Sequence, residues 1–333
     1  MKKTILTLSA LVSAITIVVW FMDAEIPVAE AERSAFFDYL HQTNPRPAMV
    51  AYNPSSLNPD KLQIPTSDLI KHVHRDLVCL RSGFDGLVLY SYSTDITPVV
   101  VEQAVSLGFP AILLGVWDVK SKPELTGVIG ITKKYNGKLA FAVVVGNEGI
   151  NDSRYTFADL NAAAETLKNA GLGKMKVSLA TSEPMAKYGL IELRRFGDFL
   201  APNIHPAIDR SDLNPTDAVA WVQGRARALV QIAKKPVLIK ETGLPNGGKT
   251  DYTPQRQYAF WQAWHDVGAM LPTANPQQDT WISLVAVFEA FDSPWKAIKS
   301  GNPVEGHWGG LNENLQPYPA FEVYGGKREA CQP

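Results

Sequence analysis

Short apolar runs, each followed by a stretch of helical pattern, set the tightest limit on what this chain can fold into. The runs occupy residues 48–53, 86–92, 111–118, 139–147, 176–182, 199–205, 236–242 and 281–291. Ala111-Ile-Leu-Leu-Gly-Val-Trp117 shows no polar alternation. A strand of that kind is buried on both faces, as in a parallel sheet covered by helices. Helix starts fall between the runs: Ser67-Asp68 opens 67–80, and Thr97-Pro98 and Thr253-Pro254 place Pro at a first helical position. Residues 156–170 and 212–233 read as amphipathic or Ala-rich helices. Eight strands alternating with helices predict a single α/β domain, a (β/α)8 TIM barrel, which typically takes about 250 residues plus insertions. A doubly wound open sheet satisfies the same alternation. No internal repeat, low-complexity segment or polar linker divides the chain.

Composition excludes several classes. Lys and Arg number 32 against 33 Asp and Glu, so there is no basic excess to attract nucleic acid. Two cysteines cannot build a disulfide scaffold or a four-thiolate zinc site. Cys79 lies on a predicted helix and Cys331 near the carboxyl end. A bridge tying down the tail is one outcome; two unconnected thiols, one buried and one in a loose tail, is the simpler expectation. His72 and His74 stand two apart on a predicted helix and face different ways, which predicts surface residues and not metal ligands.

The amino terminus carries an address. Lys2 and Lys3 precede an uncharged run from Thr4 to Met22, and Ala29-Glu30-Ala31 follows. A basic start, an apolar stretch and an A-x-A site read as an export signal. The run exceeds a usual signal core of roughly 7–15 residues and approaches the roughly 20 that span a bilayer. Residues 1–31 are therefore expected to be a cleaved signal peptide or a retained membrane anchor through residues 4–22. The catalytic domain is expected over 32–333, exported to the periplasm or the extracellular space.

Chemistry in such a barrel sits at the carboxyl ends of the strands. Asp118, Asn147-Glu148, His205, Glu241, Glu289 and Asp292 fall there. Glu148 ends the run that begins at Phe141, and Glu241 ends the run that begins at Pro236. A carboxylate directly after a buried strand must find a partner or do chemistry. Two of them facing across a cleft suit glycoside hydrolysis, although spacing alone serves structural salt bridges equally well. A competing motif, Gly243 to Gly248-Lys249-Thr250, fits the phosphate-loop pattern G-x-x-x-x-G-K-[ST]. The helix signal, however, comes only at Thr253-Pro254, so no helix amino terminus meets a phosphate and no nucleotide is expected.

Val145-Gly146-Asn147-Glu148 and Lys240-Glu241-Thr242-Gly243-Leu244-Pro245 resemble the two signatures of glycoside hydrolase family 17. The bacterial branch is further suggested by Asn203-Ile204-His205-Pro206, Phe288 to Lys296, and Trp308-Gly-Gly-Leu-Asn312. The resemblance spans residues 49–313. It implies a (β/α)8 retaining enzyme acting on β-1,3-glucan, with Glu148 as acid/base and Glu241 as nucleophile. Asn147 would hydrogen-bond the sugar 2-hydroxyl, and neither metal nor cofactor is required. Leu244 stands where that family usually has Trp. The same residues would serve a glucanosyltransferase that elongates or branches β-1,3-glucan. A carbohydrate-binding protein without catalysis is disfavoured by two intact glutamate words. Tyr90, Trp117, His205, Glu289, Lys296 and Trp308 are further candidate sugar contacts, with Trp295 a weaker one.

Overall fold

The computed structural model describes residues 34–42, 47–58, 64–268 and 282–332. Seven strands form one parallel sheet: β1 (Met49–Ala51), β2 (Gly86–Leu89), β3 (Ala111–Val116), β4 (Ala140–Asn147), β5 (Ser178–Ser182), β6 (Val237–Thr242) and β7 (Ile282–Val287). Their order around the sheet is β5-β4-β3-β2-β1-β7-β6, the order of a barrel with one gap. The expected sixth strand, 199–205, fills that gap without becoming a regular strand. Asp198 and Asn203 donate their N–H groups to the carbonyls of Leu179 and Glu183, while Leu200 and Ile204 donate to those of Pro236 and Glu241. Pro202 has no N–H to give, but its carbonyl accepts from Lys240. The ring closes through these bridges, and the architecture is the expected (β/α)8 barrel.

Alternation sorts even all-apolar strands into two layers. In β3, Ile112, Leu114 and Val116 pack outward against helices, while Ala111 and Leu113 join the interior with Val88, Ala142, Val144, Ala180 and Leu238. The helix Ala35–Leu40, capped by the Ser34 hydroxyl on the Phe37 N–H, closes this interior at the amino-terminal end of the strands. Its Phe36 and Phe37 sit 6.3 and 5.7 Å from the Phe199 ring. Full burial of each aromatic stabilises the fold by roughly 1.5–3 kcal/mol. The helices start where their signals predict: Thr97–Ser106 and Pro215–Ala233 carry Pro in the first turn, and Phe157–Leu167 has a complete capping box from Thr156 and Asp159. The apolar run 4–22 and the site at 29–31 lie outside the described residues. Among the described residues, no helix is long and apolar enough to cross a membrane.

The expectation of two unconnected thiols needs correction: Cys79 and Cys331 form a disulfide. The reason is that the tail is packed and not loose. Cys79 lies buried on the helix Thr66–Arg81. The last turn, Arg328–Cys331, docks on that helix, with the Lys327 N–H donating to the Ser82 hydroxyl at 2.9 Å. The two Cα atoms come to 4.4 Å across a sequence separation of 252. In the chain-entropy picture a loop of that length contributes about 5 kcal/mol. His72 is also more than a surface residue, being half-buried and bonded at Nε2 to the Ser55 carbonyl and hydroxyl. We predict that Cys331→Ser, or reduction of the native chain, lowers the thermal midpoint by roughly 10 °C. A calorimetric scan with and without reductant that shows equal midpoints contradicts the bridge.

Candidate active site

The residues singled out from the sequence stand at the carboxyl ends of the strands. Tyr90 follows β2, Trp117 follows β3, Asn147 ends β4 with Glu148 next, Glu241 is the penultimate residue of β6, and Glu289 follows β7 within two residues. His205 ends the irregular segment between β5 and β6, and Lys296 comes from the helix Pro294–Ser300.

Backbone irregularities aim the two glutamates. Register shifts occur between Val144 and Asn147 on β4 and between Ile239 and Thr242 on β6. Such bulges re-aim side chains at functional sites. On β4 the bend runs through Gly146 (φ 78°) and Glu148 (φ 55°), both left-handed. Gly146 is needed twice, because a Cβ there would also lie 2.1 Å from the Tyr155 hydroxyl. On β6, alternation already sends Leu238 and Lys240 inward, and the shift brings Glu241 to the same mouth.

A buried hydrogen-bond network joins them. The Lys240 ammonium donates to Glu241 Oε1 at 2.5 Å and to Asn147 Oδ1 at 2.8 Å, and it lies 4.2 Å from the Tyr90 ring centre. His205 Nε2 is 3.3 Å from Glu241 Oε2; because a carboxylate only accepts, this nitrogen carries the proton. Asn203 Nδ2 donates to Glu148 Oε1 at 2.8 Å, and Ser182 fixes that amide by donating to Asn203 Oδ1 at 2.9 Å. With its oxygen engaged by Lys240, Asn147 keeps its amide nitrogen as a donor for a ligand.

The two carboxyls are pushed apart in acidity. Burial and the negative charge of Glu241 raise Glu148 above the ordinary range. Burial would raise Glu241 as well, but the Lys240 ammonium and His205 outweigh it and hold that carboxyl at about 2. Of the two carboxyls, Glu148 is therefore the one that keeps a proton to the higher pH. Such separation marks an acid and a nucleophile or base.

The remaining candidates divide. Glu289 is buried and takes the Lys296 ammonium at 2.5 Å, while its second oxygen has no partner among the described residues. Trp308 is 2% exposed and packs 5.1 Å from His205 and 5.3 Å from Phe288. It forms a wall whose indole N–H has no partner among the described residues, not an open platform. Trp117 is 41% exposed, with the Arg154 guanidinium 4.3 Å over its ring. Arg154 also donates to the Asn147 carbonyl, tying the β3 and β4 ends together. Leu244 is buried in the outer core. The glycine-rich loop 243–250 leads to a helix that begins only at Pro254, and a Cβ on Gly248 would lie 2.6 Å from Val304 Cα. Sequence reasoning missed Lys240, Asn203, Glu183 and Arg154 as site residues. The signal for Lys240 was present: a lone cation inside a run that alternation turns inward.

The family described as the BtgE/BtgC glycoside hydrolase domain matches residues 50–309. No curated protein matches the chain. Among solved structures, the glycoside hydrolase family 17 β-1,3-glucanosyltransferase of Rhizomucor miehei is 17% identical, with a TM-score of 0.63 over 83% of this chain and 97% of its own. An endo-laminarinase from Formosa is 15% identical, with a TM-score of 0.66 over 86% and 88%. CJP38, a β-1,3-glucanase and allergen of Cryptomeria japonica pollen, is 16% identical, with a TM-score of 0.60 over 82% and 98%. At these identities the structures share the fold with this chain.

The bend at Gly146 is testable on its own. Gly146→Ala meets both the left-handed backbone and Tyr155, and is expected to cost about 2–4 kcal/mol in urea unfolding. Gly130→Ala, on a helix with open space around its Cβ position, is expected to be neutral or to stabilise by up to about 1 kcal/mol. Equal midpoints for Gly146→Ala and the unmodified chain contradict the close approach.

Proposed function

Since the chain belongs to the BtgE/BtgC glycoside hydrolase domain family, we propose that it acts on β-1,3-glucan by a retaining double displacement, with Glu241 as nucleophile and Glu148 as acid/base. The observation that carries this reading is the opposed acidity of the two carboxyls in one buried network. In the first step Glu241 attacks the anomeric carbon while Glu148 gives its proton to the leaving glycosidic oxygen. Asn147 Nδ2 donates to the 2-hydroxyl, a contact that tightens as the oxocarbenium character grows. In the second step Glu148, now ionised, takes a proton from the incoming hydroxyl, whose oxygen bonds the anomeric carbon as the ester bond to Glu241 breaks and that carboxylate is released. Glu289, Lys296, Tyr90 and the Trp308 N–H are offered as hydrogen-bonding partners for sugar hydroxyls, and His205 as the group that orients Glu241.

A second reading, transfer of the glycosyl group to a sugar, is favoured by one feature. Trp117 is 41% exposed and is tied to the Glu148 end of the mouth through Arg154, which covers one ring face and bonds the Asn147 carbonyl; in this reading the acceptor sugar takes the other face. The same proposal places residues 32–333 as the catalytic domain outside the cytoplasm, behind a signal or anchor at 1–31. The Cys79–Cys331 bridge supports it, since disulfides persist in oxidising compartments.

Mass spectrometry of products from a defined β-1,3-gluco-oligosaccharide tests the reading. Shorter products, lost in Glu148→Gln and Glu241→Gln, are expected for hydrolysis; longer products, lost in the same variants, are expected for transfer. Activity that survives in either variant contradicts the assignment. A pH profile tests the electrostatics. The basic limb of kcat/KM reports loss of the Glu148 proton and lies above the ordinary carboxylate range. The acid limb reports protonation of Glu241. Lys240→Met removes the cation that holds Glu241 ionised, so that limb moves up by about one to three pH units. An acid limb unchanged in Lys240→Met contradicts the role of the lysine.

A further inference from the structure

Directly after β5 stands a carboxylate that the proposed chemistry does not use. Glu183 is 0% exposed. Its Oε1 accepts the N–H of Ile150 at 2.8 Å and its Oε2 accepts the N–H of Asn151 at 3.0 Å. Those amides belong to the turn that leaves Glu148, whose own backbone is left-handed. The backbone carbonyl of Glu183 accepts the N–H of Asn203 at 3.0 Å, and Asn203 is the residue that bonds the Glu148 carboxyl. One position earlier, the Ser182 carbonyl accepts the Glu148 N–H at 2.7 Å. A buried carboxylate without a cation is expensive, and here two backbone N–H groups take the place of the cation. The β4–β5 ladder ends at Asn147 and Ser182, so the carboxylate bonds the turn after Glu148 and not the sheet.

We propose that Glu183 is a positioning residue for Glu148: its carboxylate clamps the turn after Glu148 while its carbonyl seats Asn203, and together they set where the acid/base carboxyl points. The inference rests on the reading of Glu148 as acid/base. It has a consequence that overall fold support lacks. A misplaced Glu148 harms proton donation in the first step and proton removal in the second, and kcat/KM reports the first alone. Cleavage of a poor leaving group, such as another glucose, needs that proton; expulsion of 2,4-dinitrophenolate does not.

The test compares kcat/KM of the full chain and of Glu183→Gln on a β-1,3-gluco-oligosaccharide and on 2,4-dinitrophenyl β-laminaribioside, with Glu148→Gln as the reference. For Glu183→Gln, in which one acceptor oxygen becomes an NH2 group, the expected fall is about 10²-fold on the oligosaccharide and less than about threefold on the aryl glycoside. Glu148→Gln is expected to show the same leaving-group pattern, more steeply. If Glu183→Gln loses both activities equally while Glu148→Gln keeps the pattern, the positioning role is overturned and the acid/base reading stands. If Glu148→Gln itself loses both equally, the acid/base reading fails, and the proposal for Glu183 with it. Should thermal unfolding show that Glu183→Gln does not fold, Glu183→Asp takes its place: it keeps the charge, withdraws it from the turn, and is expected to show the same split. Equal loss on both substrates in a folded Glu183→Asp overturns the proposal.

Discussion

A lysine ammonium sealed in the mouth of the barrel is the interaction on which the site depends. Lys240 is 1% exposed, and a charge so buried is tolerated only when paired and hydrogen-bonded. Its partners come from separate strands: Glu241 on β6 itself, Asn147 on β4, and the Tyr90 ring after β2. The pairing works in both directions. Glu241 supplies the counter-charge that lets the ammonium stay, and the ammonium keeps Glu241 ionised against its own burial. Removing the cation would leave a carboxylate in a site with little water, where protonation becomes the cheaper state.

Glu148 is built on the opposite principle. Among the described residues no cation bonds it; it accepts from the neutral amide of Asn203, and burial and the neighbouring anion raise its pKa. What holds it is backbone geometry, through the left-handed bend at Gly146 and Glu148 and the template offered by Ser182 and Glu183. One carboxyl is thus tuned by charge and fixed by a strand, and the other is tuned by exclusion and fixed by a turn. The difference follows from Lys240 and His205 beside Glu241 and from Asn203 beside Glu148, and it matches the division of labour that glycoside cleavage needs.

Much of this was legible in the sequence. Apolar runs of strand length marked a parallel sheet covered on both faces, which leaves no polar alternation, and their number pointed to the barrel. Both glutamates were marked by their place at the ends of such runs. The sixth run misled as a strand, since Pro202 withholds a ladder N–H and the segment bonds through bridges alone. Lys240 escaped notice because a strand-end lysine next to a glutamate reads as a solvated pair until parity is followed inward. Asn203 bonds the Glu148 carboxyl, Glu183 the N–H groups of Ile150 and Asn151, and Arg154 the Asn147 carbonyl, contacts made by the bent backbone and the closed barrel that no local sequence pattern announces. The disulfide was hidden for the same reason: only the docking of the last turn on the helix Thr66–Arg81 brings Cys331 to Cys79.

The central claim is that Lys240 keeps Glu241 ionised as the nucleophile, and covalent trapping tests it most directly. A 2-deoxy-2-fluoro β-laminaribiosyl fluoride forms the glycosyl-enzyme quickly and releases it slowly, so the intermediate can be weighed and mapped by peptide mass spectrometry. The predicted result is one added disaccharide per chain, attached to the peptide that contains Glu241. A label on the peptide that contains Glu148, or turnover of the natural oligosaccharide with inversion at the anomeric carbon, would contradict the account.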